Sequence, residues 1–328
     1  MNLNYFFRLV TFFVITTILV YSCAIKDAEE QKRNYLTIYT DINYNQDTLL
    51  FNKFEKEEKI KVYVKYLPKD SIIKTLKREH FNSNADLLLL SNYDLLKKAN
   101  RKNLLLPIKS DILDENVDPS YRSRKKTWYG LSKTPLVIIY NEKALKRDTL
   151  KSYHELLKPK WAGKISLQEK NNSTYRTFRN NLHFLLKNEA DSFLLKLNKQ
   201  VLLAKQGDDF TQINRINRRE SLLSIVKLSS LAELQTKYDY KSPKNVRDVE
   251  VIFPNQRKRG CYLSITGAGV YRYAKNSANA IKMLEFLSSK RAQYKYAETR
   301  FDYPLLRNTE ICYALSKFRK FRARFYKY

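Results

Sequence analysis

Glycine is nearly missing from this chain: there are six in 328 residues, three of them between Val251 and Pro304. So small a supply leaves no glycine-rich loop to cradle a nucleotide phosphate, and neither the P-loop nor the dinucleotide fingerprint occurs. Three cysteines are too few for a disulfide-built scaffold. The three histidines, His80, His154 and His183, have no zinc-ligand spacing, and no HExxH run is present. A nucleophile elbow is absent too, so the chain reads as a protein that is not an enzyme. Acidic residues are scarce beside basic ones, 33 against 62, for a formal charge of +29. That surplus raises the question of a polyanionic partner. No zinc-finger spacing or RNP-type motif accompanies it, and lysines such as Lys53, Lys56, Lys59 and Lys61 alternate with Glu55, Glu57 and Glu58. Charge dispersed in this way reads as solvated faces and not as a nucleic-acid surface. The densest basic run, Lys317–Arg324, reads as a solvated helix end, with contact to a membrane surface as the alternative.

What is present begins with an export signal. Arg8 precedes an apolar run, Leu9–Val20, of the length of a signal-peptide core and too short to span a membrane comfortably. It ends at Val20-Tyr21-Ser22-Cys23, which resembles a bacterial lipobox. Residues 1–22 are then the signal peptide, Cys23 is the acylated residue, and the charged stretch 23–33 is a tether. The expected location is the periplasm or cell surface, with the protein lipid-anchored to a membrane. Uncleaved anchoring and ordinary secretory cleavage are the alternatives. Of the remaining cysteines, Cys261 and Cys312 have no spacing that demands a bridge, and two free thiols are expected.

The periodicities predict an α/β protein. Asn34–Thr40, Ile60–Tyr66 and Ala85–Leu90 read as strands, and Asp47–Glu58 and Ser71–His80 as helices between them. Strand-helix alternation of this kind makes a lobe with a mostly parallel sheet flanked by helices. A second series holds a strand at Leu136–Tyr140 and helices at Thr174–Lys187, Glu189–Lys199 and Asp209–Arg219. Two lobes follow, with crossings near Leu131–Val137 and Asp248–Phe253. Lobe 1 is expected to comprise 34–132 plus 250–301, and lobe 2 133–249 plus 302–328. Ligands of such folds sit in the cleft between lobes, at strand ends and helix N-termini. No oligomer seam is visible, and a monomer is expected.

Several phrases carry a family resemblance. Phe253-Pro254-Asn255-Gln256 is followed by Gly260, then by Ile265-Thr266-Gly267-Ala268-Gly269-Val270, read as a short strand ending at Ile265 and a tight glycine turn that brings backbone close to a neighbouring element. Asn279–Leu287 (NAIKMLEFL) reads as a helix capped at Asn276 or Ser277. Earlier lie Lys158-Pro159-Lys160-Trp161-Ala162-Gly163 and Gln206-Gly207-Asp208-Asp209. In this order they resemble the ferric-iron-binding proteins of bacterial ABC importers, over roughly Tyr35 to Leu315. The resemblance implies a type II-like solute-binding protein that carries Fe(3+) to an inner-membrane permease.

The same resemblance implies a metal site, carried over residue by residue. Ferric ion is hard and suits phenolate, carboxylate and imidazole. Tyr44 matches a family tyrosine, with Asn43 where the family has histidine. Tyr175 matches a second tyrosine, at the start of a helix. The family's consecutive tyrosine pair is Ser229-Ser230 here, and its supporting arginines are Thr134 and Leu136. The implied metal ligands are therefore Tyr44 and Tyr175, with Asn43, Ser229 and Ser230 as cleft residues. Tyr238 and Tyr240 are nearby substitutes. Two other readings stay open: a different small ligand, such as an oxyanion or metal chelate, and an envelope lipoprotein that has lost its ligand.

Overall fold

The computed structural model describes residues 34–42, 47–146, 150–202, 207–237, 246 and 248–327. Its ten strands form one connected, mixed sheet that runs through two lobes. In lobe 1, β1 (Tyr35–Thr40) pairs in parallel with β2 (Lys61–Tyr66) and β3 (Leu87–Leu90). The helices α1 (Thr48–Glu58), α2 (Lys69–Glu79), α3 (Tyr93–Arg101) and α4 (Asp111–Asn116) connect and cover these strands. Alternation sorts the side chains to two faces. Leu36, Ile38, Leu87 and Leu89 pack with Phe51 and Phe54 of α1 on one side. Tyr39, Leu88 and Leu90 pack with Ile72 and Leu76 of α2 on the other. The leucine run is thus buried on both faces, as a central parallel strand requires.

Two long strands cross between the lobes. β4 (Tyr129–Asn141) pairs its first half antiparallel with β8 (Cys261–Val270). Its second half, from Leu136 on, lies between β6 (Leu223–Lys227) and β7 (Val249–Ile252). β5 (Ile165–Ser166) adds a parallel edge to β6. Even-numbered residues of this half of β4 join one apolar cluster and Val137 and Ile139 another. The helices α5 (Ser173–Leu186), α6 (Glu189–Lys199), α7 (Asp209–Asn217) and α8 (Leu228–Lys237) cover these faces. The two crossing strands pair antiparallel with each other, and parallel pairing occurs among β1, β2 and β3 in lobe 1 and between β5 and β6 in lobe 2.

The second crossing differs from expectation. Residues Val249–Ile252 pair with the lobe 2 half of β4, and Cys261 and Tyr262 pack in lobe 2 clusters. The chain changes side along β8, whose end pairs with β3. The glycines differ in part: Gly267 and Gly269 lie inside β8, not in a turn, while the close backbone approach expected of them is present. A Cβ on Gly267 would sit 2.5 Å from the Tyr129 carbonyl oxygen, and one on Gly269 2.5 Å from that of Thr127. Close approach of the start of β4 and of the residues just before it is what excludes a side chain there.

After β8 come α9 (Ser277–Ser288) and α10 (Lys290–Arg300), then β9 (Tyr303–Pro304), α11 (Tyr313–Ser316) and β10 (Ala323–Arg324). The basic C-terminal run is not a solvated helix end. It is an extended strap held by its aromatic residues. β10 pairs in parallel with Cys261–Tyr262, and Gln256 and Arg322 bond reciprocally. Phe321 stacks on Phe253 at 4.8 Å. Phe325 packs on Tyr93 of lobe 1 at 4.9 Å, while Tyr326 faces Tyr262 and Phe184. Neighbouring residues of an extended chain point to opposite sides, so these two rings brace both lobes. Cys261 and Cys312 are both buried and free.

Candidate functional site

The C-terminal ends of β1, β3 and β6 meet the β4–β8 crossing, and there one lysine acts electrostatically on three carboxylates, Asp209 and Asp302 buried and Asp41 half-buried. Asp41 follows β1. It accepts hydrogen bonds from the Ser91 backbone NH (2.8 Å) and hydroxyl (2.6 Å) just beyond β3. Burial holds its pKa above the usual carboxylate range, opposed by those bonds and by the charge of Lys227. Asp302, between α10 and β9, accepts from Ser132 Oγ of β4 at 2.8 Å. Its pKa is also raised by burial, against the pull of Ser132, Arg300, Lys227 and Ser229.

Asp209 belongs to lobe 2. It accepts from Gln168 Nε2 (2.8 Å), Thr174 Oγ1 (2.9 Å), the Lys227 backbone NH (3.0 Å) and Ser230 Oγ (3.1 Å). Burial raises its pKa too, and the Lys227 charge is the largest force against that rise. The residue that caps α7 is Asp208, whose Oδ1 accepts from the Thr211 NH at 2.9 Å. Asp209 opens the helix, as expected, but its carboxylate knits the β6–α8 junction. Lys227 closes β6, and its Nζ donates to Ser173 Oγ at 3.2 Å. One ammonium therefore acts on acids of both lobes. A buried Arg300–Asp47 ion pair ties α10 to the start of α1 beneath it, with Nε 2.8 Å from Oδ1. Burial lowers the Arg300 pKa to about 10. The lobes also touch at the rim, where Lys69 Nζ donates to the Asn171 carbonyl (2.5 Å) and Asn180 to Asp94 Oδ1 (2.7 Å).

Of the residues read from the sequence, Ser229 and Ser230 lie at this junction. The Ser229 backbone NH donates to Thr134 Oγ1 at 3.1 Å, and its hydroxyl serves Asp302. Tyr175 opens α5 but is only 5% exposed, packed with Phe178 and Leu182 in the lobe 2 cluster. Burial raises its phenol pKa, with Arg179 opposing, so an unassisted phenolate is disfavoured there. Asn43 and Tyr44 lie outside the described residues, between Asp41 and Asp47 of the site; Cys23, Tyr238 and Tyr240 also lie outside them. Among the described residues no group of three or more His, Cys, Asp or Glu side chains is placed to hold a metal. Sequence reasoning missed Asp41, Lys227 and Asp302. Their one signal is position: Asp41 and Lys227 each terminate a buried strand, where such folds put ligand groups.

Two lobes joined by crossing strands, with polar groups from both meeting between them, define a ligand-binding protein of the periplasmic type. The chain belongs to the bacterial extracellular solute-binding protein family, whose profile matches residues 82–323. Iron uptake protein A1 of Synechocystis sp. is 30% identical over 300 residues, covering 90% of this chain and 81% of that protein. The major ferric iron-binding protein of Neisseria meningitidis is 24% identical over 278 residues, covering 82% and 80%. Among solved structures, a Trichodesmium protein in complex with iron and citrate ligands superposes with a TM-score of 0.83 at 28% identity, covering 88% of this chain and 92% of that one. The ferric binding protein from Campylobacter jejuni has the same TM-score at 24% identity and the same coverages, a likeness of fold. The family is one of transport proteins that bind substrate, and its members work with an ABC permease.

Proposed function

We propose that this chain is the extracytoplasmic binding lipoprotein of an ABC importer, and that its cargo is ferric iron carried with an organic anion. Its role is binding and delivery to the permease, not catalysis. The observation that carries the reading is the electrostatics of the cleft. Where the related family places two phenols, this chain has Ser229 and Ser230, with Lys227 beside them. Neutral hydroxyls are weak donors for Fe(III). Lys227, together with Lys69 and Arg176 nearby, supplies positive charge suited to the oxygens of a bound carboxylate. Tyr44 and Tyr175 are the phenols proposed as donors, Asn43, Ser229 and Ser230 line the cleft, and anion oxygens complete the sphere.

Titration of the protein with ferric citrate, followed by visible absorbance, tests this. A phenolate-to-iron band is expected, lost or weakened in Tyr44→Phe. If Tyr175→Phe leaves the band intact, Tyr175 has a packing role alone; if no band forms at all, the iron reading fails. Anchoring rests on Cys23: Cys23→Ser is expected to move the protein from the membrane fraction to the soluble fraction and to abolish labelling by radioactive palmitate. Unchanged labelling would remove Cys23 as the acylated residue.

A further inference from the structure

Away from the three carboxylates, a groove of about 950 Å³ opens between α3 of lobe 1 and α5 of lobe 2. Lys97, Lys98 and Arg101 line it from α3, Lys102 from just beyond that helix, and Arg176 and Arg179 from α5. Spacing of three and four residues puts the α3 cations on one helix face. The carboxylates that line the groove are Asp94 and Asp191. Both already have partners: Asp94 takes the Asn180 amide at 2.7 Å and faces Arg176 at 3.9 Å, and Asp191 faces His183 at 3.6 Å. Positive charge is therefore in excess. Lys97 feels it, since its pKa is lowered by burial and by the Arg101 guanidinium, with only Asp94 pulling the other way.

We propose that this groove binds a small oxyanion carrying several negative charges, a tricarboxylate or a condensed phosphate, and that the anion bridges the two lobes. Concavity and volume fit a compact molecule, whereas a nucleic acid or a membrane needs an extended convex or flat surface. Arg176 and Arg179 move with lobe 2 and the α3 cations with lobe 1. An anion that touches both binds the closed arrangement more tightly than an open one, and so favours closure. The groove shares Arg176 with the proposed ferric cleft, but binding there needs no metal and no tyrosine.

The test is calorimetric titration of the full chain, purified in mild detergent without iron, with citrate and with tripolyphosphate as separate arms. The double variant Lys98→Glu/Arg101→Glu is compared with Lys77→Glu/Arg78→Glu, which makes the same charge change on the exposed end of α2. The groove variant is expected to lose at least about tenfold in affinity, the worth of one charge-assisted bond, and the α2 variant less than about twofold. The arm that shows this difference identifies the source, carboxylate or phosphate. Equal losses in the two variants would mean that net charge alone attracts the anion, and the proposal would fall. It would fall equally if neither anion bound the unaltered chain at millimolar concentration. Thermal unfolding of both variants within a few degrees of the parent keeps a folding defect from imitating the result.

Discussion

Asp302 shows how one buried carboxyl makes stability depend on pH. Burial raises its pKa, so between the ordinary carboxylate value and the raised one the folded protein holds a proton that the unfolded chain has released. The stability from this group is complete below the ordinary value and is lost as pH climbs through the raised one. Asp302→Asn removes that titration while leaving an oxygen for Ser132. The urea midpoint of the variant is expected to vary less steeply with pH across that window; an equal slope would mean Asp302 does not titrate there. Gly267 is a steric case. A methyl group at this position meets the Tyr129 carbonyl at 2.5 Å, and Gly267→Ala is expected to destabilise by about 1–3 kcal/mol in urea titration. The importance of this glycine was legible in the sequence, because glycine is so scarce. The close backbone approach was legible too, but its place inside a strand was not, because a tight turn and a paired strand both bring backbone close. Lys227 was illegible for a related reason: a lysine after a buried strand looks solvated until three acids of distant sequence are folded around it.

Among the elements, those with clear period or alternation formed as read. Leu50, Phe51 and Phe54 face the core from α1, and the β1 and β3 runs are buried. The C-terminal strap did not. Its basic residues suggested a solvated helix, but Phe321, Phe325 and Tyr326 set its position by stacking on partners in both lobes. Tyr326 is 6% exposed. Tyr326→Ala is expected to cost about 2–4 kcal/mol by removal of a buried ring, while Lys320→Ala, on the same strap but exposed, stays within about 0.5 kcal/mol. Chemical unfolding of the two proteins decides between an aromatic and an electrostatic attachment, since the reverse order would mean that charge holds the strap.

For the whole molecule, the two-lobed plan and the family were legible because they rest on long ordered patterns. The cargo was less so, since it depends on a handful of side chains that differ from the related proteins. The central claim is that the cleft takes ferric iron together with an anion. Native mass spectrometry of the protein loaded with ferric citrate and freed of excess ligand weighs that cargo directly. A mass increase of one iron plus citrate, reduced in Tyr44→Phe, is the expected result. A bare protein mass, or a loaded mass with no iron in it, would contradict it.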